Sequence, residues 1–210
     1  MGRQRRLKVY AFGDSHAGKF GGSDKFVLVG PPAPTAYGLA NEHSRSESIL
    51  LLRTMLWHVK PEDVILFVLG EIDCRIHIHR QSVESGESYQ RICQQTVDRY
   101  GRIVKAVRDD NDVNVAVLDV PPAVAQGNEY GYEHYGTRDQ RALIALTFNA
   151  ELEFWCEDNG ICFVSIYDDI VDYRGWLADE YAVEDEAHVK ESATPFVVRE
   201  LAKCFPQVAG

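Results

Sequence analysis

Five short apolar runs, separated by longer stretches in which apolar residues recur at helical intervals, constrain this 210-residue chain more than any other feature. The clearest run is Val64-Ile65-Leu66-Phe67-Val68-Leu69, which contains no polar residue. A strand that is apolar at every position must be covered on both faces, as in a parallel sheet flanked by helices. Strands are therefore expected over Leu7–Phe12, Phe26–Val29, Val64–Leu69, Val113–Val120 and Ile161–Ile166. Helices are expected over Ser46–His58, stopped by Pro61, over Glu87–Arg108, from a Thr137 cap to Glu157 before Gly160, and over Ala193–Cys204. Parallel neighbours need crossovers, and crossovers are right-handed. The expected fold class is α/β, a three-layer α/β/α sandwich around a five-stranded parallel sheet of order 2-1-3-4-5, with ligands at the carboxyl ends of the strands.

Chemistry-bearing residues sit where those ends should be. Gly13-Asp14-Ser15-His16 follows the first run directly, placing a serine at the mouth of a strand, where glycine lets the backbone turn sharply. Near the other end, Asp185-Glu186-Ala187-His188 sets a carboxylate and an imidazole one helical turn apart. A serine hydroxyl needs a base to take its proton, and the base needs an orienting carboxylate. The central run delivers Gly70-Glu71-Ile72-Asp73-Cys74-Arg75 to the same rim.

In their order and spacing, Gly13-Asp14-Ser15, Gly70-x-x-Asp73 and Asp185-x-x-His188 resemble the SGNH (GDSL-like) hydrolase family over nearly the whole chain. The Gly-Glu-Ile-Asp-Cys-Arg block resembles a carbohydrate-associated branch of it. The resemblance implies a flavodoxin-like sheet and a serine esterase that removes a small acyl group, with acetyl esters of carbohydrates as the expected substrates. It makes Ser15 the nucleophile, His188 the general base and Asp185 its orienting partner, with no metal and no organic cofactor. The family's central block reads Gly-x-Asn-Asp, and its asparagine donates to the oxyanion. Here Ile72 stands in that place and has nothing to donate. The remaining oxyanion donors would be the Ser15 N–H and a glycine after the second strand, Gly30 or Gly38. Arg75 either substitutes for the missing amide or forms an ion pair with Glu71 or Asp73. Asp14 and His16 flank the nucleophile, and His16 either lines the crevice or caps the turn.

Composition bounds the alternatives. A net charge of −10 argues against a nucleic-acid or anionic-membrane partner, since those contacts need clustered Lys and Arg. The basic start Arg3 to Lys8 runs into a strand without an apolar signal core, so a cytoplasmic protein is expected, acting on a small-molecule or glycan ester. Cys74, Cys93, Cys156, Cys162 and Cys204 form no C-x-x-C pair and are expected to be reduced thiols. No linker or repeat divides the chain, which reads as one domain over residues 1–210. Three other functions use the same residues. Acyl transfer to a sugar would share the acyl-enzyme, and a glycan-binding module would lack a working oxyanion hole. Gly13 to Lys19 also fits G-x-x-x-x-G-K, a phosphate cradle, with Val115 to Asp119 as an acidic strand, although Phe20 replaces the magnesium-binding hydroxyl. His77 and His79 would share one face if extended, short of a closed metal site. The loop Pro121 to Gly136 carries Tyr130, Tyr132, His134 and Tyr135, which either meet a sugar ring or pack on the following helix.

Overall fold

The apolar continuity of Val64–Val68, strand β3, is answered by complete burial. A computed structural model describes residues 7–20, 23–30, 34–39, 47–124, 132–184 and 187–209. β3 is the middle of a sheet with order β2-β1-β3-β4-β5, in which every pairing is parallel. The other strands are β1 (Val9–Gly13), β2 (Phe26–Val29), β4 (Asn114–Leu118) and β5 (Cys162–Val164). Fold class and strand order are as the sequence predicts.

Period-two alternation divides the core between two layers. Tyr10, Phe12, Ile65, Phe67, Val115 and Val117 face one cluster, with residues of α1 (Ser48–Leu56), α3 (Tyr89–Asn111) and α4 (Arg138–Asn159). Val9, Ala11, Val64, Leu66, Val68, Ala116 and Leu118 face the other. There they meet Ile170 of α5 (Tyr167–Ile170) and Val197 and Leu201 of α6 (Thr194–Cys204). Each fully buried Val, Leu, Ile or Phe side chain contributes about 1.5–3 kcal/mol, so covering both faces fixes this sheet more firmly than strand propensity does. The ends of α4 match their signals, a Thr137 cap and Gly160. Thr137 and Gln140 form a reciprocal capping box at the start of α4 (Gln140 N–H to Thr137 Oγ1, 3.2 Å; Thr137 N–H to Gln140 Oε1, 2.8 Å).

Two expectations are corrected. The segment after β3 is helical: a π turn over Asp73–His77 leads into α2 (Ile78–Ser85), which ends at Gly86. Cys74 and Ile78 enter the core beneath α3 and α4. Side chains two apart on a helix diverge by about 200°, so His77 and His79 do not share a face. Cys162 and Cys204 are joined by a disulfide between β5 and the end of α6, with Cα atoms 6.3 Å apart, while Cys74, Cys93 and Cys156 are free and buried. The reduced reading thus fails for two of the five cysteines, because packing of α6 on β5 brings together residues 42 positions apart. No helix among the described residues is long and apolar enough to cross a membrane.

Candidate active site

The site begins where β1 must end in glycine. A Cβ on Gly13 would lie 1.9 Å from the Val68 carbonyl oxygen, so only glycine lets β1 run so close to β3. The Asp14 N–H then donates to Val68 O (3.1 Å), and the chain turns. Asp14 Oδ1 accepts the His16 N–H (2.9 Å) and faces His16 Nδ1 (3.2 Å), while Asp14 O accepts the Ala17 N–H (3.0 Å). This Asx turn buries Asp14 and His16 and leaves Ser15 exposed at its apex, its own N–H without an acceptor among the described residues.

His188 reaches Ser15 from the far end of the chain, with Nε2 2.6 Å from Oγ. Its backbone is fixed by Val183 N–H to His188 O (2.9 Å), Lys190 N–H to Tyr181 O (2.7 Å) and the bridge between Ala182 and Val189. The ring is 5 % exposed. The Tyr132 ring meets it edge-on at 5.3 Å, and His16 lies 5.1 Å away on another side. Asp185 lies outside the described residues, as does Tyr130 of the loop before α4.

The segment after β3 turns inward instead. Gly70 has φ 122°, and a Cβ there would lie 2.8 Å from the Phe148 ring and the Val120 side chain. Asp73 is fully buried and accepts the N–H groups of Ala36 (2.7 Å) and Tyr37 (3.3 Å), tying the loop after β2 to the π turn. Burial pushes its carboxyl up to about 7 against those two bonds, and the charges of Asp14 and Glu71 push the same way. The Gly38 N–H is taken by Thr35 Oγ1 (2.8 Å), which removes Gly38 from the oxyanion candidates. Gly30 stands exposed at the end of β2, where a Cβ would lie 3.5 Å from Gly13 O, close to the serine turn.

Arg75 takes the second of its two sequence-derived roles. Its Nε donates to Glu71 Oε1 (2.6 Å) and its Nη1 to Glu133 O (2.5 Å), while its own carbonyl accepts the Tyr135 N–H (3.0 Å). The guanidinium lies 5.8 Å from the centre of the Tyr132 ring. Arg75 is thereby engaged in holding the loop. For His16, burial draws the imidazole pKa down, but the bond to Asp14 and its charge, aided by Glu71, outweigh burial and the opposing Arg75, and the net shift is upward.

The phosphate-cradle reading is overturned. After Ser15 comes only a 3₁₀ turn, Ala17–Phe20, with Phe20 buried, and β2 begins at Phe26, so no helix N-terminus among the described residues follows to face a phosphate. Asp119 is no Walker-type carboxylate either. Its Oδ2 accepts from Ser165 Oγ, Ile166 N–H and Tyr167 N–H, each at 2.8 Å, tying the start of α5 to β4. Burial nevertheless raises its carboxyl to about 7. Its place beside the site was missed as such; the available signal was a carboxylate directly after a fully buried strand.

No family model and no curated protein matches the sequence. In three dimensions the chain is similar to a GDSL-like lipase from Bacteroides thetaiotaomicron (TM-score 0.61, 14% identity, covering 95% of this chain and 88% of that one). It is also similar to a carbohydrate acetylesterase from Sinorhizobium meliloti (TM-score 0.61, 14% identity, 96% and 99% covered). A third likeness is to an aryl esterase from M. smegmatis (TM-score 0.60, 13% identity, 96% and 99% covered). At such identities the likeness is one of fold: the chain has the α/β architecture of SGNH hydrolases.

Proposed function

We propose that this chain is an SGNH-type serine esterase that removes a small acyl group, acetyl, from a carbohydrate ester. The observation that carries the reading is the 2.6 Å contact between an exposed serine hydroxyl and a buried imidazole at the carboxyl rim of a parallel sheet. Ser15 Oγ forms a bond to the ester carbonyl carbon as its proton passes to His188 Nε2. The resulting oxyanion meets the Ser15 N–H and the backbone at Gly30. Collapse breaks the bond to the sugar oxygen, which leaves with the proton from His188. Water then adds to the acyl-enzyme with His188 as base, and the free acid departs. Asp185 orients the ring in this scheme. With Ile72 unable to donate and Arg75 bound to Glu71, the oxyanion is held by backbone donors alone.

Ser15 is open to solvent, which favours water over a sugar hydroxyl as acyl acceptor. Tyr132, half-buried against His188, supplies an aromatic face of the kind that stacks on sugar C–H groups. Structures of the same fold include a carbohydrate acetylesterase and an acetyl xylan esterase. The test is acetate release, followed by NMR, from O-acetylated xylo-oligosaccharides and from 4-nitrophenyl acetate and butyrate. Acetate should appear from the sugar esters, and turnover should fall from acetate to butyrate. Turnover of the aryl esters with none of any sugar acetate would keep the serine chemistry and reject the carbohydrate substrate.

A further inference from the structure

Beneath the serine turn lies a second group of polar side chains that ester hydrolysis does not require. Asp14, His16 and Glu71, from the ends of β1 and β3, bring one ligand atom each to within 4.8 Å of the other two. All three line one pocket, together with Asp119 at the end of β4. Two observations mark this pocket as built for an occupant. His16 is 5 % exposed, and its Nε2 has no hydrogen-bond partner. Asp119 is 4 % exposed, and its Oδ1 has none either. A buried polar atom left without a partner costs about 1–3 kcal/mol, and here an imidazole nitrogen and a carboxylate oxygen are left so in one pocket.

The sign of the pocket selects the occupant. Asp14, Glu71 and Asp119 bring three carboxylates, and among the described residues the Lys or Arg side chain bound to them is Arg75, which engages one oxygen of Glu71. Lys190 Nζ turns to the carbonyls of Asp179 and Glu180, and Lys19 on the pocket wall bonds to none of the three carboxylates. Protein donors engage a single oxygen of Asp14 and a single oxygen of Glu71, so each carboxylate keeps an oxygen for a ligand. One imidazole with two carboxylates is a mixed nitrogen and oxygen set, suited to zinc among the divalent first-row cations and poor for magnesium or calcium.

We propose that Asp14, His16 and Glu71 bind one divalent transition cation of the zinc class, with Asp119 facing the same pocket. The bound ion fastens the serine turn to the segment after β3, so occupancy stabilises the fold.

Zinc is the probe. Chelator-treated, dialysed protein is titrated with Zn²⁺ by calorimetry, and the melting temperature is recorded with and without the ion. We expect one ion per chain with a dissociation constant below about 10 μM, a raised melting temperature, and at least tenfold weaker binding in His16→Gln and in Glu71→Gln. Joint replacement of His77 and His79 should leave the affinity as it is. Binding weaker than about 100 μM overturns the proposal, as does affinity that survives both first substitutions or vanishes only with the histidine pair. X-ray absorption of the wild-type zinc protein needs no variant: it should show one imidazole with oxygen neighbours, and sulfur neighbours would reject the site. Ser15→Ala must still bind the ion, so loss of the esterase reading and loss of the metal site are separate results.

Discussion

The segments that follow β1 and β3 begin from paired positions, Gly13 opposite Val68, yet they put their polar residues to opposite uses. After β1 the chain makes a tight Asx turn, buries Asp14 and His16, and pushes Ser15 into solvent within reach of His188. After β3 it winds at once into a helix, and its polar groups bind protein: Asp73 holds the Ala36 and Tyr37 amides, and Arg75 holds Glu71 and Glu133. Neighbouring strand ends thus differ, one presenting an exposed serine beside an imidazole and the other tying the surrounding loops together. A motif at a strand's carboxyl end is therefore weak evidence for chemistry until the following turn shows whether it faces out or in.

The sharpest way to break this contrast is to remove the presented pair. Ser15→Ala and His188→Ala should each lower kcat on 4-nitrophenyl acetate by on the order of 10⁴-fold or more, with little change in melting temperature. Turnover surviving in Ser15→Ala would move the nucleophile elsewhere. On the inward-facing side the expected loss is in stability. Asp73→Ala leaves the Ala36 and Tyr37 amides unsatisfied and should cost about 2 kcal/mol in chemical denaturation. A neutral result there would mean that the loop after β2 does not depend on Asp73.

Arg75→Lys sharpens the comparison further, because it keeps the charge and loses the planar fork that reaches both Glu71 and Glu133. The expected outcome is a melting temperature lower by a few degrees, for a loss of about 1 kcal/mol, with kcat within about threefold of wild type. A hundredfold fall in kcat without loss of stability would instead assign the guanidinium to the reacting oxygen. The smallest effect concerns His134, in the loop that Arg75 holds. Burial, with the nearby Arg141 and Arg75 charges, lowers its imidazole to about 4. The unfolded ring titrates near 6.5, so between those values the unfolded chain binds a proton that the folded chain does not, and stability falls as pH drops from about 6.5 towards 4. His134→Gln should lose less melting temperature than wild type between pH 7 and 4.5, and equal losses would place the titration on other groups.

Much of this division could be read from residues. The five apolar runs located the strands because burial on both faces leaves no polar positions, and β2 matches its expected bounds, Phe26–Val29. Ser15 and His188 were paired across 173 positions by the chemistry that a serine nucleophile demands. The helix after β3 was not legible, since Ile76 and Ile78 alternating with His77 and His79 mimic a strand, and only the core under α3 and α4 decides otherwise. The Cys162–Cys204 bond depends on how α6 packs against β5, which no local pattern records. Four-residue α5 is likewise fixed by Asp119 from another strand. The inward turn of Arg75 had two readings of equal chemistry, and the position of Glu133 separated them.

The central claim is that His188 activates Ser15 within this crevice, and covalent labelling tests it most directly. Wild-type protein and His188→Ala are incubated with a fluorophosphonate at pH 7.5, and adducts are counted by intact mass and located by peptide mapping. One adduct per wild-type chain at Ser15, forming at least a hundredfold more slowly in His188→Ala, is the expected result. A folded wild-type protein left unmodified at Ser15, or labelled there equally fast without His188, would contradict it.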